Sequence, residues 1–91
     1  MGPYALKQLS ASGEVGTAGS PRVVFAIVLT AAAAAATATF LVGGSGGTAL
    51  LTLACPANDS RVVLLDDGVS FGSGCYVTIT GAGAFVSVAF T

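Results

Sequence analysis

Histidine and tryptophan are absent from this 91-residue chain, and charge is nearly so. Only Lys7, Glu14, Arg22, Asp59, Arg61, Asp66 and Asp67 ionise, 8% of residues against about 25% in an ordinary soluble domain. Each shortage excludes something. Without histidine there is no imidazole to activate a serine or cysteine nucleophile. Three basic side chains and a net charge of −1 leave no footprint for nucleic acid. Two cysteines without histidine make a poor zinc site, so neither a metal nor a cofactor is expected. A domain without a charged coat has little to keep its copies apart. Much of its exterior is therefore expected to lie against other protein or lipid.

What the chain does have is a run of short alternating segments. Arg61–Leu65 is apolar and rich in β-branched residues, and Asp66-Asp67-Gly68 reads as its stop. Cys75–Thr80 alternates, Gly81-Ala82-Gly83 turns, and Ala84–Phe90 alternates again. Period-two runs between glycine-rich turns indicate an antiparallel sheet. Upstream, Val23–Thr30 is apolar on both faces, with Phe25, Ile27 and Leu29 on one of them. Thr37–Val42 and Thr48–Ala54 read as a pair joined by the Gly43–Gly47 hairpin loop. Ala31–Ala36 is either a helical turn or a loose connection. Six or seven strands at regular spacing give the expected fold: all-β, a small antiparallel β-sandwich or jelly-roll-like barrel over residues 22–91. Residues 1–21, dominated by Gly, Ser, Ala and Thr, read as an extended N-terminal arm held by a neighbouring protein.

A competing reading takes residues 23–42, twenty positions without charge, as one membrane-spanning helix. The run divides instead into two β-branched or aromatic stretches around a weakly apolar alanine centre, a poor middle for a span. A signal-peptide reading of Val23–Leu29 is set aside with it. No membrane partner and no cleaved leader are expected.

Candidate chemistry dissolves on inspection. Gly68-Val69-Ser70-Phe71-Gly72 matches a nucleophile elbow, which requires a strand-to-helix turn, a histidine and a large α/β sheet. Asp59, Asp66 and Asp67 are too few for the six to eight oxygens calcium takes. Gly43–Gly47 lacks the Lys-Ser or Lys-Thr of a phosphate loop. Asn58-Asp59-Ser60 is a formal glycosylation acceptor, meaningful only in a secreted eukaryotic protein. The chain is not expected to be an enzyme. Cys55 and Cys75 read as buried apolar thiols, and a disulfide between them would need adjacent, facing strands.

Two stretches carry a resemblance. S-G-G-T-A-L-L-T-L (Ser45–Leu53) and D-G-V-S-F-G-S-G-C-Y-V-T-I-T-G-A-G-A-F-V-S-V-A-F (Asp67–Phe90) resemble a pattern in small β-rich virion proteins of tailed bacteriophages. The likeness covers roughly residues 22–91. It implies a capsid decoration, or cement, protein: a homotrimer on the outer surface of a phage head, in contact with the major capsid protein, assembled in the host cytoplasm. A tail, adaptor or head-fibre component is the neighbouring alternative. The resemblance implies turn positions at Gly68, Gly74 and Gly81, and core or trimer positions at Phe71, Tyr76, Val86, Val88 and Phe90. Tyr4, Leu6 and Leu9 on the arm, with Phe25, Ile27 and Leu29 on the first strand, are the expected assembly contacts. A carbohydrate-binding module is disfavoured, since tryptophan is absent and few polar side chains could grip a sugar.

Overall fold

The computed structural model describes residues 5–16 and 19–91 and, for Asp66, the backbone alone. Eight strands form: β1 (Ala5–Leu9), β2 (Gly13–Val15), β3 (Arg22–Thr30), β4 (Ala36–Val42), β5 (Thr48–Cys55), β6 (Ser60–Phe71), β7 (Cys75–Thr80) and β8 (Phe85–Phe90). They build two four-stranded sheets, ordered β1-β8-β3-β6 and β2-β7-β4-β5. Every pairing is antiparallel.

The order decides between the two expected architectures. The chain changes sheet at every connection except the β4–β5 hairpin. β4 pairs with β5, β3 with β6, β2 with β7 and β1 with β8. That nesting is one long hairpin rolled up on itself, the jelly-roll arrangement of two sheets. It is a sandwich in its layers and a jelly roll in its winding.

Between the sheets lies an apolar core. Val15, Val24, Ile27, Leu29, Ala38, Phe40, Phe71, Cys75, Val77, Val86 and Val88 are all 0% exposed. The Phe40 and Phe71 rings, one from each sheet, meet with centroids 6.5 Å apart and planes tilted by 50°, within the favoured range for aromatic pairs. Arg22 closes one end by laying its guanidinium 5.8 Å from the centre of the Phe90 ring.

Several sequence expectations are corrected here. The arm is not a separate unit: β1 pairs with β8 and β2 with β7, and Val15 is fully buried. Residues 23–42, by contrast, are as expected two strands and not one helix; they lie in different sheets, and the link over 31–35 is non-helical. No helix among the described residues is long and apolar enough to cross a membrane. Asp66-Asp67-Gly68 does not end a strand, because β6 runs through it to Phe71. Gly68 is a bulge position rather than a turn between strands, while Gly74 and Gly81 do lie in connections; all three have positive φ.

That bulge also rewrites the faces of β3. The pairing with β8 slips between Val24 and Ala26, leaving Phe25 as an extra residue, and at the same point β6 places four residues, 65–68, between the partners Leu64 and Val69. Val24 and Ile27, three apart, are therefore both buried, followed by Leu29. Ile27 and Leu29 lie in the intramolecular core and are withdrawn as assembly contacts. Phe25 is half-buried beside Gly68, where an added Cβ would stand 2.9 Å from its ring.

Candidate assembly surface

The inward set on the β1-β8-β3-β6 sheet fixes its outward set by alternation. Leu6 pairs with Ala89, Ala89 with Ala26, and Ala26 with Leu64. One residue from each strand thus forms an apolar row across the sheet. The next row is Gln8, Ser87, Val28 and Val62, and a third holds Phe85, Thr30 and Ser60. None of these eleven positions is charged. Leu6 is 79% exposed, Leu64 73% and Val62 62%. Strand spacings near 4.8 Å and row spacings near 7 Å give this uncharged area roughly 400 Å², about two thirds of it from the apolar positions Leu6, Ala26, Val28, Val62, Leu64, Phe85 and Ala89, within the range of the largest apolar patch on an ordinary monomer.

The opposite face of the sandwich has a different chemistry. Thr78 pairs with Thr39 and Thr39 with Thr52; Thr80 pairs with Thr37 and Thr37 with Ala54. Hydroxyl groups cover this sheet where charges would be expected, and the Thr37 and Thr80 hydroxyls hydrogen-bond each other. Glu14 and Tyr76 pair at its margin. Uncharged threonines can still be solvated through their hydroxyls. The first face therefore carries a wholly apolar row, Leu6–Ala89–Ala26–Leu64, whereas the second is threonine-rich around Thr37, Thr39, Thr52, Thr78 and Thr80 and apolar only towards Leu41 and the exposed Leu50.

The expected site residues sort as follows. Leu6 stands on the apolar face, whereas Leu9 packs against the core. Tyr4 lies outside the described residues. Phe71, Val86, Val88 and Phe90 are buried. Tyr76 is only half-buried, because β7 turns Cys75 and Val77 inward and Tyr76 away from them. Ala26, Val28, Val62, Leu64 and Ala89 were missed. Their signal was present as the second apolar register of β3 and of Arg61–Leu65, hidden by the unseen phase slip at Phe25.

Ser70 sits within β6 rather than on a strand-to-helix turn. A depression of about 360 Å³ lined by Ala36, Thr37, Ala54, Cys55, Pro56 and Arg61 contains one cation and one buried thiol but no acid or base. Among the described residues no three His, Cys, Asp or Glu side chains gather to hold a metal. The Asp59 carboxylate accepts the Ser60 N–H at 2.8 Å, a local turn contact. Burial, with the nearby Glu14 carboxylate adding to it, pushes the Cys75 thiol from its ordinary 9.0 up to about 12, the opposite of nucleophile activation. Comparison with protein-family models, curated proteins and solved structures returns no match for this chain.

Proposed function

We propose that this chain is a structural subunit that acts by adhesion, specifically a decoration protein on the outer surface of a phage head. The observation that carries the reading is the uncharged row Leu6–Ala89–Ala26–Leu64 with Val28 and Val62 beside it. Jelly-roll topology supports it only as a frequent choice of shell-forming proteins, since one fold serves many functions. The likeness of Ser45–Leu53 and Asp67–Phe90 to small virion proteins supplies the specific form.

In this reading the apolar face lies against the major capsid protein and against sister copies in a trimer, and the threonine face meets solvent. A contact of standard size buries about 800 Å² on each partner. The roughly 400 Å² patch supplies about half of that, and flanking residues the rest. Many modest contacts around one shell then add by multivalency. Cementing follows, because each copy bridges neighbouring capsomers.

The test is the copy number of this chain in purified particles, by quantitative mass spectrometry, with the mass of the free protein in solution. Copies in proportion to the shell protein and a trimeric free form are expected. Absence from particles overturns the reading. A few copies confined to tails overturns its head location.

A further inference from the structure

The two sheets leave four edge strands: β1, β2, β5 and β6. An open edge offers unpaired backbone N–H and C=O groups to any passing strand, and proteins guard such edges with charge, brevity or bulges. Three of these edges are guarded. β1 carries Lys7. β2 is three residues long and carries Glu14. β6 carries Arg61, Asp66 and Asp67 and is broken by the bulge at Gly68. β5 carries no charge and no proline; a bulge at Leu50 interrupts its ladder with β4, Leu51–Cys55 pair regularly beyond it, and β4 is its sole ladder partner among the described residues. Thr48, Ala49, Leu50, Thr52 and Ala54 are exposed.

We infer that the β5 edge is a pairing edge whose occupant is β5 of a second copy, joined antiparallel about a two-fold axis. Three observations select that occupant. No charge occurs from Thr48 to Asn58, so the fitting partner strand is one equally free of charge, and β5 itself meets that condition. Every ladder in this sheet is antiparallel, and a two-fold continues that pattern. Antiparallel pairing about a two-fold perpendicular to the sheet also keeps the faces matched. Leu51 and Leu53 stay on the core side, and Thr52 and Ala54 stay on the threonine face. The result is one continuous eight-stranded sheet across two molecules, by edge-to-edge strand addition. This contact uses an edge and not the apolar face, so it is additional to any trimer made through that face: the edge alone gives a dimer, and both contacts together give an even-numbered assembly larger than a trimer.

The experiment compares the concentration-dependent mass of the wild-type protein with that of Thr52→Lys, Thr52→Glu and their equimolar mixture, using Thr52→Ser as control. Far-UV circular dichroism checks that each variant is folded. Like charges placed near each other across the axis weaken pairing. Association is equal in wild type and Thr52→Ser, weakens by up to about fivefold in each charged variant alone, and recovers in the mixture, where Lys faces Glu. Recovery is the decisive readout, since a general loss of fold or solubility would not be reversed by mixing. Unchanged mass in Thr52→Lys, or no recovery on mixing, overturns the inference. Hydrogen exchange adds a second check: amides of β5 gain protection with rising concentration in wild type, and constant exchange overturns the pairing.

Discussion

Cys55 lies opposite Ala36 and Cys75 opposite Val42, at the two ends of β4. Six residues of extended chain separate those partners, about 20 Å. A disulfide requires Cα atoms within about 7 Å. The two thiols therefore cannot join within one molecule, and both are free and buried. Mass spectrometry of protein unfolded under non-reducing conditions in the presence of a thiol-alkylating reagent will find two alkylated cysteines. An unalkylated chain two hydrogen atoms lighter than the reduced protein would contradict the register.

Cys75 gives the fold a pH dependence at the alkaline end. The folded thiol, pushed up to about 12, holds its proton more tightly than the unfolded one at 9.0. This contribution to stability is complete below pH 9 and is lost as pH rises through about 12. Urea midpoints will fall across that window, and Cys75→Val will show a shallower fall. Parallel slopes for the two proteins would refute the assignment.

Gly68 is held by two constraints, a φ of +82° and the close approach of Val23 and Phe25. A Cβ there would come 2.5 Å from Val23 Cγ1 and 2.9 Å from the Phe25 ring. Gly43 has a φ of +94° and open space around it. Gly43→Ala should cost about 1 kcal/mol in backbone strain. Gly68→Ala should cost about 3 kcal/mol, since overpacking is added. Equal losses in denaturant unfolding would show that the bulge is not packed as described.

Charge placed on the apolar face separates adhesion from folding. Val62→Lys and Leu64→Lys alter exposed positions and should shift stability by no more than about 0.5 kcal/mol. Particle occupancy should drop sharply in both. Ile27→Ala, from the intervening core register, should instead cost about 2–5 kcal/mol by opening a cavity. Full occupancy by the double lysine variant would remove this face from the assembly.

The residues show why some of this was legible in the sequence. Cys75–Thr80 and Phe85–Phe90 alternate without interruption, so their strands could be read directly; the resemblance implied core or trimer positions at Val86, Val88 and Phe90, and all three are buried. β3 could not be read the same way. Both of its registers are apolar, and the phase slip at Phe25 shows only against its partners β6 and β8, thirty or more residues away in the chain. β1 and β2 left almost no local trace, because most of β1 is exposed and its order comes from pairing with β8. Strand propensity of that kind is set by tertiary neighbours. Asp66-Asp67-Gly68 has the composition of a turn and the role of a bulge, a difference that resides in the partner strand. The absence of charge and proline from β5 was plain in the letters Thr48–Cys55. Its meaning appeared only once the sheet order made β5 terminal.

The nested winding has a consequence for how the molecule is made. Of the four nested pairings, the β4–β5 hairpin alone joins strands consecutive in the chain; Leu6 must wait for Ala89. At about 5–20 residues per second, a ribosome spends several seconds between those two codons. Throughout that delay β3 and β4, lacking any charge beyond Arg22, have neither their β8 nor their β7 neighbours. Such non-local closure is slow and invites misassembly between nascent chains. Yield in cells should therefore depend on translation speed and on chaperones that shield unfinished polypeptides.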